Sequence, residues 1–126
     1  AFDNAVLYTD HLLASMIRAL SERSDRLDTS LLYVSDHGES LGEAGLYLHG
    51  VPYALSPRVQ TWVPMIYWQS PGFGASTGLD AQCLKQRAAA PAAHDNLFHS
   101  ILGLLDVRTS AYLPERDLLA PCRKAR

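Results

Sequence analysis

The chain has 126 residues, 48% of them apolar, and a formal net charge of −2. That length fits at most one domain, though one with a real core. The charge argues against a nucleic-acid protein, which needs a basic surface, and no run reaches the roughly 18 apolar residues of a membrane-crossing helix.

In chain order, residues from about Asp3 to Ser24 read as an amphipathic helix. Val6, Leu13, Met16/Ile17 and Leu20 recur at helical spacing, and Asp3 or Asn4 stands where a cap belongs. Ser30 to Val34 is a short continuous apolar run, expected as a strand buried on both faces. A long Gly-rich loop from Gly38 to about Ser56 follows. Val63 to Trp68 is a second β-prone run, with Pro64 tolerable at a strand start. Ser70 to Gly78 holds Pro and Gly residues and is expected to be an exposed loop. Asp80 to Ala89 is expected as a helix ended by Pro91. His94 to Leu105 is another, with Leu97, Ile101, Leu104 and Leu105 on one face and Asp95 or His94 at the cap. The Pro-containing tail is irregular, and Arg123-Lys124-Arg126 reads as a solvated terminus. Helix, strand, loop, strand, helix implies an α/β architecture, a partial domain with parallel strands flanked by helices.

Cys83 and Cys122 are too few for a framework. Two readings stay open: a disulfide formed in an oxidising compartment, or two buried free thiols. The start, Ala1-Phe2-Asp3, falls inside the first helix without an initiator Met, so a fragment is expected whose upstream part carries further catalytic groups.

The chemistry concentrates at Ser35-Asp36-His37-Gly38, immediately after the first strand. Open α/β sheets bind ligands just beyond the carboxyl ends of their strands. Asp and neutral His are ordinary zinc ligands. Neighbours in a regular strand point to opposite faces, so a turn is needed to bring both to one ion, and Gly38 makes such a turn sterically cheap. Taken alone, the tripeptide is weak, since Asp at a strand end is usually a turn or cap residue. His49, in Leu46-Tyr47-Leu48-His49-Gly50, joins the site if the loop folds back. There it would ligate a second metal or donate to a phosphate oxygen; otherwise it is a surface histidine. Glu39 is expected to support the site, accepting from loop backbone or orienting His37, and Glu43 to be solvated. His94 and His99 read as cap and packing residues, and His11 has no functional neighbour. No P-loop, GxGxxG, CxxC pair or GxSxG elbow is present.

Tyr33-Val34-Ser35-Asp36-His37-Gly38-Glu39-Ser40-Leu41-Gly42-Glu43, followed by Gly45 to Gly50, resembles the metal-site segment of the phosphoethanolamine transferases that modify lipid A. These belong to the alkaline phosphatase–sulfatase superfamily. Asp3 to Asp10, Val63-Pro64-Met65, His94 to His99 and Leu102 to Asp106 match further blocks in the same order. The long block around Asp36 is specific, whereas Asp-His-Gly alone suits any sulfatase-like enzyme.

The resemblance implies an alkaline phosphatase/sulfatase-like fold and an enzyme at the periplasmic face of the bacterial inner membrane, anchored by an N-terminal membrane domain. In that family zinc is held by a Glu, a Thr, an Asp and a His. The Thr takes phosphoethanolamine from the donor phosphatidylethanolamine, and the phospho-threonine passes it to the lipid A acceptor. Asp36 and His37 match the Asp and His ligands. His49 matches a histidine near the transferred phosphate or at a second zinc. The Glu and Thr have no counterpart here, so the isolated chain is expected to be inactive and to bind zinc weakly. A phosphatase, sulfatase or phosphoglycerol transferase would use similar ligands. A non-catalytic metal-binding or interaction domain is the reading from a different class.

Overall fold

The computed structural model describes residues 1–124, so Arg126 of the basic tail lies outside it. The chain forms two compact units, one of residues 30–68 and one of residues 1–29 with the segment from Gln69 onward. Among the described residues, no helix is long and apolar enough to cross a membrane.

In the first unit, β1 (Ser30–Val34) pairs with β4 (Met65–Gln69) in a two-stranded sheet. Ser70 N donates to Thr29 O (2.8 Å) at one end and Ser35 N to Pro64 O (3.2 Å) at the other. The residue before β1 bonds to the residue after β4, and the residue after β1 to the residue before β4, so the two strands run antiparallel, which corrects the expectation of parallel strands for this pair. A continuous apolar run reports burial and carries no direction. β1 is half-buried along its length rather than enclosed, because among the described residues it has a neighbour on one edge only.

The expected long loop is more ordered than its composition suggests. It holds a short antiparallel hairpin, β2 (Ser40–Leu41) and β3 (Tyr47–Leu48), in the register Ser40 with Leu48 and Leu41 with Tyr47. A 3₁₀ turn at Tyr53–Leu55 and one helical turn, α2 (Arg58–Thr61), complete the unit.

In the second unit, α1 spans Phe2–Ser21 with Ala1 at its N-cap position, and neither Asp3 nor Asn4 caps it. Leu13 is its one buried residue, while Val6 and Met16 of the expected apolar face are 53% and 48% exposed. Residues Ser70 to Gly78, expected as a loop, form a helix, α3 (Pro71–Thr77). Ser70 Oγ accepts from Phe73 N (3.2 Å), Pro71 stands in the first turn, and Gly78 closes the helix with φ 74°. These are strong start and stop signals, and they outweigh the cost of Gly72 and Gly74 inside.

α4 (Ala81–Arg87) begins at Asp80, whose Oδ1 accepts from Cys83 N (2.8 Å). α5 (Asp95–Leu104) follows. His94 is at its N-cap position but makes no side-chain cap bond; Asn96 Oδ1 accepts from Ala93 N instead (2.8 Å). The leucine face expected for α5 is not its buried one. Ile101 and Leu105 are exposed, and the buried residues are His99, Ser100 and Gly103. They anchor the tail: His99 Nδ1 accepts from Leu113 N, and Ser100 Oγ from Leu118 N. A Cβ on Gly103 would strike Asp117 Oδ2, so the glycine makes room for that buried carboxylate.

Cys83 and Cys122 are joined in a disulfide with Cα atoms 5.4 Å apart, which settles the choice left open by the sequence. It ties α4 to the final 3₁₀ turn, Ala120–Cys122. The buried apolar residues Leu13, Leu79, Leu119 and Cys122 all lie in this unit.

Candidate metal centre

The candidate site lies within residues 30–68, where β1 ends. Beyond β1 the backbone stays tied to the returning chain, with Gly38 N donating to Gln60 O (2.9 Å). Gly38 is not among the residues with positive φ. Its reason for being glycine is a close approach: a Cβ there would drive into the Val59 carbonyl. The expected turn exists, but packing rather than backbone freedom selects the residue.

Asp36 Oδ1 accepts from His37 N (3.0 Å), and Ser35 Oγ donates to His37 O (2.9 Å). The His37 amide bond, and next the charge of its imidazole, hold the Asp36 carboxyl below the usual carboxylate range. The carboxylate is therefore ionised at neutral pH, the form that binds metal. His37 Nδ1 lies 2.9 Å from Gly38 O, an acceptor, so Nδ1 carries a hydrogen and Nε2 is the ring nitrogen left outside that contact. That Nε2 is 3.8 Å from Asp36 Oδ2.

The β2–β3 hairpin folds the chain back and delivers His49 to this place. The His37 and His49 rings stand 3.9 Å apart between centroids, tilted by 35°. Gln60, 5% exposed, fixes the return. Its Nε2 donates to Ser40 Oγ (2.7 Å) and to Leu48 O (3.2 Å), and its Oε1 accepts from Ser56 Oγ (3.1 Å). One buried amide thus joins both hairpin strands to the following loop. The sequence reading missed Gln60, because a lone glutamine in a polar loop carries no periodic signal.

Glu39 approaches a different histidine from the one expected. Its Oε2 lies 3.1 Å from His49 Nδ1 rather than beside His37. Glu43 is exposed as expected, yet ordered: its Oε2 accepts from Leu41 N (2.7 Å), and backbone hydrogen bonds hold its carboxyl below the usual range. His99 is a buried packing residue, and His94 is exposed at the start of α5.

The donor chemistry fits zinc. Ligand atoms of His37, Glu39 and His49 all lie within 4.8 Å of one another. Two ligands on one tetrahedral zinc stand about 3.3 Å apart, given bonds of about 2.0–2.2 Å. The Asp36–His37 separation of 3.8 Å is close to that value.

Comparison with known proteins agrees with the resemblance. The sulfatase family model matches residues 1–107. Phosphoethanolamine transferase EptA of Salmonella typhimurium is 45% identical over 124 residues, 98% of this chain and 23% of that protein. The crystal structure of the soluble domain of lipooligosaccharide phosphoethanolamine transferase A from Neisseria meningitidis superposes with a TM-score of 0.93. It is 48% identical, across 98% of this chain and 37% of that one. The integral membrane form of that enzyme gives a TM-score of 0.92, with 23% of its chain covered. The chain thus spans about a quarter of the length of the curated relative and of that membrane enzyme. Extent of match, identity and superposition together establish that this chain belongs to the sulfatase family, and that it is similar to phosphoethanolamine transferases.

Proposed function

We propose that the chain is the metal-site part of the periplasmic catalytic domain of a zinc-dependent transferase. The enzyme would move phosphoethanolamine from phosphatidylethanolamine to lipid A through a phospho-threonine. The observation that carries this reading is the meeting of Asp36, His37 and His49 at the end of β1. The threonine nucleophile and a glutamate ligand would lie in the part of the relatives' length that this chain does not span.

In this reading Asp36 and His37 hold the zinc through Oδ2 and Nε2. Bound there, zinc would lower the pKa of the threonine hydroxyl and offset charge building on the phosphoryl oxygens. The hydrogen bonds His37 N to Asp36 Oδ1 and His37 Nδ1 to Gly38 O fix both ligands before any ion arrives. His49 faces the transferred phosphate and, protonated at Nε2, donates to the departing oxygen of the donor lipid. The Cys83–Cys122 disulfide suits the periplasm, an oxidising compartment, and a membrane domain outside this chain would hold the site near its lipid substrates.

The test is an assay of purified full-length protein with labelled phosphatidylethanolamine and lipid A, beside phosphate and sulfate monoesters. Label should move to lipid A, and H49A should lower the rate by at least about 100-fold. Ester hydrolysis without lipid A labelling would reject the transferase in favour of another sulfatase-family chemistry.

A further inference from the structure

We propose that Glu39 is a positioning residue that fixes the tautomer and ring orientation of His49; the inference rests on the catalytic role proposed for His49 above. His49 follows Leu48, which has φ 66°, and precedes Gly50, which has φ 98°. Its side chain is 51% exposed. The ring packs against His37 on one side, with centroids 3.9 Å apart. Glu39 supplies a polar partner: its side chain is only 23% exposed, and its Oε2 lies 3.1 Å from His49 Nδ1. A carboxylate accepts and does not donate, so His49 Nδ1 carries the hydrogen that points at Glu39. The other carboxylate oxygen, Oε1, is buried and has no hydrogen-bond partner among the described residues. His49 is therefore the polar group toward which this half-buried carboxylate is turned.

The two adjacent imidazoles are held by the same device in two strengths. His37 Nδ1 meets a neutral carbonyl, Gly38 O, whereas His49 Nδ1 meets a charged carboxylate. Both rings keep Nε2 for chemistry.

The experiment uses the full-length enzyme as wild type, E39A, E39Q, H49A and E39A/H49A. Imidazole ¹⁵N shifts of His49 in the metal-free protein should show the Nδ1–H tautomer in wild type and E39Q, whose amide oxygen still accepts. They should show a tautomer mixture in E39A. In the zinc-loaded enzyme, E39A should lower kcat about 10- to 100-fold with little change in KM, and E39Q should recover most of that loss. Bound zinc should be unchanged in both, and E39A should cost little further in the H49A background. An unaltered His49 tautomer in E39A, lost zinc in E39Q, or a full E39A effect in the H49A background would overturn the proposal. If wild type transfers nothing, the reading of the function fails, while the ¹⁵N shifts still decide the role of Glu39.

Discussion

His37 and His49 face each other with ring centroids 3.9 Å apart, although one leaves β1 and the other follows β3. Their meeting depends on a hairpin and on one buried amide beneath it. Gln60 joins Ser40, on the His37 side, to Leu48, the residue before His49.

Q60A should therefore act at a distance from the chemistry. It removes the hydrogen bonds that Gln60 Nε2 gives to Leu48 O and to the 1%-exposed Ser40, at a cost of about 1–3 kcal/mol. Thermal melts should show the loss, and hydrogen exchange should rise in residues 40–49. Unchanged exchange there would mean the hairpin holds His49 without Gln60.

G38A should be damaging for a steric reason. The added Cβ would collide with the Val59 carbonyl, and the strand exit would have to move to admit it. A cost of about 1–3 kcal/mol is expected, with zinc affinity falling as His37 shifts. Wild-type stability and zinc affinity in G38A would show that the close approach relaxes freely.

The disulfide closes a separation of 39 residues between α4 and the chain's last turn. Loops of that size give roughly 4 kcal/mol in the chain-entropy account. C83S/C122S should melt well below wild type, and reductant should lower the wild-type midpoint while leaving the double mutant unchanged. Equal midpoints with and without reductant would show that the bridge carries no stability.

Much of this was legible in the chain. The spacing of apolar residues located α1 and α5, the stop at Pro91 bounded α4, and the short continuous apolar run located β1. The Asp36-His37 pair was visible because a strand end is where an α/β sheet presents ligands. Other features were obscured by competing signals. Gly72 and Gly74 argued for a loop where Ser70, Pro71 and Gly78 were capping a helix. The apolar run of β4 gave no direction, and the buried side of α5 is polar because it binds the tail. Glu39 with His49, and Gln60 with Ser40 and Leu48, are contacts between segments that meet only once the hairpin has formed, so no local pattern contains them.

Tyr112 supplies a pH test. Burial, and then its hydrogen bond to Asp117 (2.8 Å), push its hydroxyl above the usual tyrosine value. A group whose folded pKa is raised contributes stability that is complete below its unfolded value, about 10, and lost as pH rises through the folded value. Wild type should therefore lose stability over Y112F as pH climbs from about 9 to 11. Parallel pH curves for the two proteins would contradict that assignment.

The most direct measurement is the mass of lipid A from cells expressing the full-length protein as wild type, D36A or H37A. Wild type should yield lipid A carrying phosphoethanolamine, and both variants, present at wild-type levels, should yield none. Modified lipid A from D36A or H37A at the wild-type level would contradict the ligand assignment, and unmodified lipid A from wild type would contradict the proposed activity itself.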